Sequence, residues 1–130
     1  MTQRRAIVTE DAPAAIGPYS QAIYDERTGL LFCSGQIGLD PASGQLVAGG
    51  VVEEFRRAMR NVEGVLQAAG LGLGDVMRVT LYLADMADFV SVNQAYAPFF
   101  AEPFPARATV QAAGLPRGAR VEVEVTAVRR

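Results

Sequence analysis

Arg107 is the residue of this chain whose type points most clearly to a chemical role. It lies in the stretch Phe104-Pro105-Ala106-Arg107. The chain contains no histidine and no lysine, so all 12 of its basic residues are arginines. An arginine stays protonated and cannot act as a general base, but its planar guanidinium group can hold a carboxylate through two parallel hydrogen bonds. Any chemistry must therefore combine arginine with carboxylates, hydroxyl groups, backbone groups or water.

The composition excludes several kinds of active site. A Ser-His-Asp or Cys-His nucleophile needs an imidazole, a pyridoxal-type Schiff base needs a lysine, and the commonest zinc sites need histidine or several cysteines. The single cysteine, Cys33, cannot form an intrachain disulfide, and we expect it to pack as a small buried apolar group. The sequence therefore predicts neither a metal nor a cofactor.

The length and charge of the chain limit the kinds of protein that it can be. The 130 residues, half of them hydrophobic, predict one domain over residues 1–130 with a substantial core. The net charge of −2 argues against a broad nucleic-acid interface, and no apolar run is long enough to span a membrane. Residues 1–13 carry charges where a signal peptide would need an apolar run, so we predict a cytoplasmic protein.

Apolar periodicity and turn residues predict the order β, β, β, α, β, α, β, β. The first third is rich in strands, and Glu26-Arg27-Thr28-Gly29 is a hairpin connection within it. We expect Asp85 or Asp88 to cap the second helix, which carries Phe89 and Tyr96 toward the core. The remaining elements are predicted as strands at 21–25, 30–33, 76–83, 106–112 and 120–128, and a first helix at 52–69.

Alternation along the later strands predicts a sheet with one apolar and one mixed face. Two helices can cover only one side of such a sheet, and its apolar face should meet them. The mixed face would then carry Arg78, Tyr82, Arg107, Thr109, Glu122 and Glu124. If the last two strands pair antiparallel through residues 113–119, Arg107 lies near Glu122.

Two interpretations of this mixed face stay open. The face can be a solvated surface with cross-strand ion pairs, each contributing roughly 0.2–1 kcal/mol, which is the commoner outcome for such a pattern. Alternatively, another subunit covers the face, Arg107 binds a ligand carboxylate, and a nearby glutamate controls a water molecule. The pattern alone does not choose between them.

Five sequence blocks, in order and at fitting separations, resemble the RidA (YjgF-type) family of enamine/imine deaminases. The similarity runs from about residue 6 to the C-terminus. The blocks are Ala12 to Ala22 (APAAIGPYSQA), Ser34-Gly35-Gln36-Ile37, Val92-Asn93 with Tyr96, Phe104-Pro105-Ala106-Arg107, and Val121-Glu122-Val123.

This resemblance implies an α+β, chorismate-mutase-like fold, in which two helices lie on one face of a mixed six-stranded sheet. It also implies a homotrimer with ligand sites in the clefts between subunits. The implied activity is hydrolysis of reactive species such as 2-aminoacrylate and 2-aminocrotonate, which pyridoxal-phosphate enzymes release, to 2-oxo acids and ammonia without a cofactor.

The resemblance also assigns roles to residues. Arg107 would hold the substrate carboxylate, helped by the backbone N–H of Gly35, and Glu122 would orient or deprotonate the attacking water. Tyr19, Ser34 and Asn93 would line the cleft; from the residues alone, a loop tyrosine packed on the core, a strand hydroxyl and an exposed helix amide are the commoner interpretations.

The chain departs from the family pattern in two places. Thr109 stands where many deaminases of the family have cysteine, which excludes a thiolate at that position. If the residue there contributes its backbone carbonyl to substrate binding, Thr109 can serve. The connection at residues 101–103 is short and would border the cleft, so it bears on the size of the substrate.

Two other functions remain open at this point. A non-catalytic trimer could use the same cleft to bind a small 2-oxo or amino acid in a regulatory role, and Glu122 favours catalysis over this alternative. A ribonuclease or translation-inhibitor activity, also attributed to relatives, is less consistent with an acidic chain that lacks histidine.

Overall fold

The computed structural model describes residues 3–130 as one mixed six-stranded sheet with two helices. The predicted order of elements is confirmed. The strands are β1 (Arg4–Ile7), β2 (Ala22–Asp25), β3 (Leu30–Cys33), β4 (Val76–Leu83), β5 (Ala106–Gln111) and β6 (Val121–Val128). The helices are α1 (Val51–Ala68) and α2 (Phe89–Tyr96).

The strands lie in the order β1-β2-β3-β6-β4-β5, and β4–β5 is the parallel pair of neighbours. The expected antiparallel pairing of the last two strands is therefore wrong. The connection from β4 through α2 to β5 is a crossover, which returns the chain parallel to β4 on its outer side. Strand β6 then fills the space between β3 and β4, so β4 separates β5 from β6.

Helix α1 supplies much of the core that covers one face of the sheet. Its apolar side chains recur at three- and four-residue spacing, and Phe55, Met59 and Val62 are fully buried. They pack against β6 side chains such as Val123. The helix ends before Gly70, whose φ of +78° suits glycine far better than other residues.

The alternation expected along β4 holds from Val79 onward, but not at its start. A register shift between Val76 and Arg78 interrupts the pairing with β6. This irregularity turns Val76 into the core, where it is 6% exposed, and leaves Met77 58% exposed. Strict alternation along residues 76–83 predicts that Met77 shares the buried face with Val79, Leu81 and Leu83, and this prediction is wrong for Met77.

Asp85 caps the one-turn 3₁₀ helix at 86–88 that leads into α2, since its side chain accepts a hydrogen bond from the Ala87 N–H at 2.9 Å. Asp88 instead binds the Arg120 guanidinium group at 2.9 and 3.0 Å. Of the two candidate caps, Asp85 is the one that caps.

The sheet face opposite the helices is not covered by any element within residues 3–130. It carries Glu122, Glu124 and Tyr82 from the predicted mixed face, together with exposed apolar side chains such as Phe32. An uncovered sheet face that carries exposed apolar side chains is a candidate surface for contact with another molecule. No helix in the described part of the chain is long and apolar enough to cross a membrane.

Candidate functional site

Arg107 lies on β5, at the edge of the sheet, and points to the side that the helices cover. Its register partner on β4 is Val79, which is fully buried beneath the helices. Because directly paired residues on neighbouring strands share a face, Arg107 and Thr109 share the face of Val79. The prediction that Arg107 and Thr109 lie on the mixed face is therefore wrong.

Helix α2 surrounds the Arg107 side chain with three groups. One terminal nitrogen, Nη1, donates a hydrogen bond to Asn93 Oδ1 at 2.7 Å. The guanidinium carbon lies 4.7 Å from the ring centre of Tyr96 and 5.6 Å from that of Phe89. These distances place the cation over two aromatic faces. We call Arg107, Asn93, Phe89 and Tyr96 the arginine cluster.

The positive charge of the arginine cluster is not neutralised within residues 3–130. Arg107 is exposed and makes no ion pair there, while its hydrogen-bond acceptor, Asn93, is an uncharged amide. Arg120, by contrast, is paired with Asp88. An exposed guanidinium group held by a neutral partner remains able to bind an anion.

Asn93 is a predicted site residue, whereas the apolar spacing along α2 predicts Phe89 and Tyr96 only as core side chains. Their spacing, i, i+4 and i+7 with Asn93 in the middle, puts all three on one face of α2. That spacing is the signal that could have identified them as neighbours of a cation. Thr109, two residues beyond Arg107 on the same face, is half-buried.

Glu122 lies on β6 and points to the open face, opposite the helices. Its neighbours Val121 and Val123 are fully buried on the other side. Partial burial raises the pKa of the Glu122 carboxyl group above its usual value, and the negative charge of Glu124 raises it further. Tyr82, the cross-strand partner of Glu122, donates its hydroxyl hydrogen bond to Glu124 at 3.1 Å. Glu122 itself accepts no hydrogen bond within residues 3–130.

Gly35 lies directly against Glu122. The next residue, Gln36, forms a two-way backbone bridge with Val123, which brings the chain after β3 beside β6. A Cβ atom on Gly35 would lie 2.8 Å from the Glu122 carboxyl carbon, which is too close for a real contact. The absence of a side chain at Gly35 is therefore what leaves room for the carboxylate.

The Gly35 backbone N–H is available to a ligand, because it makes no hydrogen bond within residues 3–130. Ser34 donates its hydroxyl hydrogen bond to the Ser20 carbonyl at 2.6 Å, which ties the loop carrying Tyr19 to the segment carrying Gly35. Tyr19 is 54% exposed and lies in a loop, as predicted. We call Glu122, Gly35 and the adjoining Ser34 the glutamate cluster.

Five of the seven predicted site residues thus fall into two groups on opposite sides of one sheet. Arg107, Asn93 and Thr109 lie beside α2, whereas Glu122 and Gly35 lie on the open side. The prediction that Arg107 lies near Glu122 within one chain is wrong, because β4 separates their strands and their side chains point in opposite directions.

A large cleft among the described residues coincides with neither Arg107 nor Glu122. It has a volume of about 1170 Å³ and runs between the segment of residues 7–15 and the polar side of α1. Tyr19 is the one predicted site residue that lines it. The cleft is lined by side chains of both charges, which do not indicate one kind of ligand. The unneutralised Arg107 and the partly desolvated Glu122 carboxylate are the better guide to function.

No group of three or more potential metal ligands forms within residues 3–130. Cys33 is buried, and desolvation raises the pKa of its thiol to about 12. Its thiol is thus protonated at neutral pH, which removes it as a nucleophile.

Known proteins resemble this chain over nearly its whole length. The model of the family described as Endoribonuclease L-PSP matches residues 9–129. A Mus musculus protein named 2-iminobutanoate/2-iminopropanoate deaminase is 54% identical over 126 residues, which cover 97% of this chain and 92% of the mouse protein.

Solved structures show the same fold. The crystal structure of the yjgF gene product from E. coli matches with a TM-score of 0.89 and 41% identity, over 97% of this chain and 99% of that one. The structure of E. coli TdcF with bound serine matches with the same TM-score and 39% identity, over the same shares of the two chains.

Proposed function

Because the chain belongs to the Endoribonuclease L-PSP family, which includes the YjgF and RidA proteins, we propose that it hydrolyses small enamines and imines that carry a carboxylate. The family resemblance seen in the sequence is thereby confirmed. In the proposed reaction, the enamine takes a proton on carbon to become the imine, and water then adds to the C=N carbon. Collapse of the resulting carbinolamine breaks the C–N bond and gives a 2-oxo acid and ammonia.

The unneutralised guanidinium group of Arg107 is the observation that carries this proposal. A substrate with a carboxylate next to its imine carbon can bind to the guanidinium nitrogens that Asn93 leaves free. Holding the carboxylate in a fixed plane holds the neighbouring imine carbon at a reproducible place. The relative at 54% identity is named for imines of this kind, which supports the assignment.

Glu122 is proposed to handle the protons. Its raised pKa makes the carboxylate a stronger base than an ordinary glutamate, and its oxygens accept no other hydrogen bond within residues 3–130. It can therefore accept a proton from water as that water attacks, and return the proton to the departing nitrogen. The neighbouring Gly35 N–H would donate to the substrate carboxylate.

Since Arg107 and Glu122 lie on opposite sides of one sheet, a site that uses both must combine two copies of the chain. The open sheet face carries the 51% exposed Phe32 on the same side as Glu122 and Glu124 and is suited to such a contact. We propose a homotrimer in which each site takes the arginine cluster from one subunit and the glutamate cluster from its neighbour. Tyr19 and Ser34 are then supporting cleft residues, and Thr109 contributes through its backbone.

The chemistry of the substrate also suggests its source. Short-lived 2-aminoacrylate and 2-aminocrotonate arise where an enzyme eliminates a leaving group from an amino acid bound to pyridoxal phosphate. We therefore propose a functional link to that class of enzyme. Such imines also hydrolyse in water without a catalyst, so the proposed role is to shorten their lifetime further.

The direct test is the release of ammonia and 2-oxo acid from freshly generated 2-aminocrotonate. We expect purified wild-type protein to accelerate both products, and Arg107→Ala to return the rate to that of buffer. Equal rates with and without wild-type protein would reject the proposed catalysis. If the protein also bound 2-oxobutanoate tightly in that case, the non-catalytic binding function would replace it.

A further inference from the structure

Tyr96 combines two features that the core alone does not explain. It is 6% exposed, yet its hydroxyl group is the one buried side-chain polar atom without a hydrogen-bond partner among the described residues. Burial raises the pKa of this hydroxyl, while the nearby positive charge of Arg107 opposes the rise. Leaving a buried hydroxyl unpaired is costly, so the hydroxyl group does not explain why an aromatic side chain stands at this position.

The ring of Tyr96 is held by other aromatic side chains of the core. Its centre lies 4.8 Å from that of Phe100 and 6.3 Å from that of Phe55. The Arg107 guanidinium carbon lies 4.7 Å from the same ring centre, nearer than it lies to Phe89. The Tyr96 ring is held in the core and contacts the Arg107 guanidinium group, so it restricts the motion of a side chain on an edge strand.

Asn93 alone cannot fix the plane of the guanidinium group. A single hydrogen bond to Nη1 leaves the group free to pivot about that contact. An aromatic face beneath the group removes this freedom, because the cation is attracted to the ring face over a limited area. Two constraints from one helix, a hydrogen bond and a ring, define both the position and the plane.

We propose that Tyr96 is a positioning residue, whose ring holds the Arg107 guanidinium group in the plane that receives the substrate carboxylate. The hydroxyl group has no part in this role. The inference deepens the proposed function, because it concerns the same carboxylate-binding group. It predicts that ligand affinity depends on the ring at position 96 and not on the oxygen.

The test compares three variants by calorimetric binding of 2-oxobutanoate. Tyr96→Leu removes the ring and should weaken binding roughly 3- to 30-fold, the range expected for loss of a cation–π contact. Tyr96→Phe keeps the ring and should bind within about twofold of wild type. Phe99→Leu is the matched control, because Phe99 packs edge-on against Phe55 at 5.8 Å and makes no ring contact with Arg107.

A nuclear magnetic resonance measurement separates positioning from general destabilisation. The Arg107 Nε–Hε signal, assigned by its loss in Arg107→Ala, should shift and report a more mobile side chain in Tyr96→Leu but not in Phe99→Leu. An unchanged signal in Tyr96→Leu would overturn the proposal, as would equal loss of affinity in Tyr96→Leu and Phe99→Leu. If wild-type protein does not bind 2-oxobutanoate, the proposed function fails, and the signal still decides the role of Tyr96.

Discussion

Arg107 and Glu122 point to opposite sides of the same sheet, and strand β4 lies between the strands that carry them. Val79, the β4 partner of Arg107, is buried under the helices, whereas Tyr82, the β4 partner of Glu122, lies on the open face. One chain therefore presents a cation on one side and a base on the other. The proposed reaction becomes feasible only where two copies bring these sides together.

The lack of charge on the Asn93 side chain is expected to be as important for anion binding as the positive charge of Arg107. Asn93→Asp would place a carboxylate against the Arg107 guanidinium group, where the amide oxygen lies at 2.7 Å. That internal ion pair would compete with the substrate, so we expect affinity for 2-oxobutanoate to fall about tenfold or more. Asn93→Ala, which only removes the hydrogen bond, should cost less. Calorimetry that ranks the two variants in the reverse order would contradict this view of the arginine cluster.

Gly35 is expected to be essential for turnover, because only a residue without a side chain leaves room for the Glu122 carboxyl group. In Gly35→Ala, the new methyl group would collide with the Glu122 carboxyl group and displace it, since the built Cβ atom lies 2.8 Å from the carboxyl carbon. We expect turnover of 2-aminocrotonate to fall about tenfold or more, the scale seen when a catalytic group is misplaced. The control is Gly114→Ala, where a Cβ atom would meet nothing within 4 Å. Wild-type turnover in Gly35→Ala would remove Glu122 from the mechanism or show that the carboxylate can move without loss.

Glu122 is expected to lower the stability of the folded chain at neutral pH. Burial, and secondly Glu124, raise its pKa above the usual 4.5, so the folded protein binds this proton more tightly than the unfolded chain does. The stability that the protonated group contributes is lost as the pH rises through its raised pKa. Glu122→Gln should therefore unfold at a higher temperature than wild type at neutral pH, and the difference should shrink as the pH falls toward 4.5.

Thermal unfolding across this pH range, with the exposed Glu102→Gln as control, provides the measurement. A Glu122→Gln protein that is less stable than wild type at neutral pH would mean that the carboxylate is a structural partner. It could then not be the free base of the proposed reaction.

The only thiol of the chain is expected to be inert in the folded protein. Cys33 is buried and desolvation raises the pKa of its thiol to about 12, so almost none of it is thiolate at about pH 8. Incubation with iodoacetamide should leave the intact mass and the activity unchanged, while the unfolded chain should gain one adduct. Rapid alkylation of the native protein would show that Cys33 is accessible, contrary to its position in the core.

The sequence predicted most of the elements because their signals are local. Helix α1 begins and ends one residue before the predicted bounds, since its apolar spacing and Gly70 mark it clearly. The hairpin of β2 and β3 was predicted from Glu26 to Gly29, and the Asp25 side chain holds that turn through Arg27 and Thr28.

The neighbours of β5 could not be predicted in the same way. Two strands separated by a loop suggest a hairpin, but the crossover through α2 places β5 parallel to β4 and leaves β6 to insert on the other side of β4. The pattern in β5 was also misleading. Its small apolar residues, Ala106 and Ala108, face the open side, because the inner face of this edge strand carries Arg107, which meets the amide and aromatic rings of α2. The two-sided arrangement of the site depends on these long-range pairings.

The measurement that tests the two-chain site most directly is complementation between two inactive variants. Arg107→Ala and Glu122→Gln chains carrying different tags would be produced together, and oligomers that contain both tags would be purified. In a mixed trimer, one of the three sites receives an intact Arg107 from one chain and an intact Glu122 from its neighbour. We therefore expect the mixed protein to show about one third of wild-type turnover of 2-aminocrotonate, with each parent nearly inactive. Mixed oligomers as inactive as their parents would contradict the account, because a site built within one chain cannot be restored by exchange.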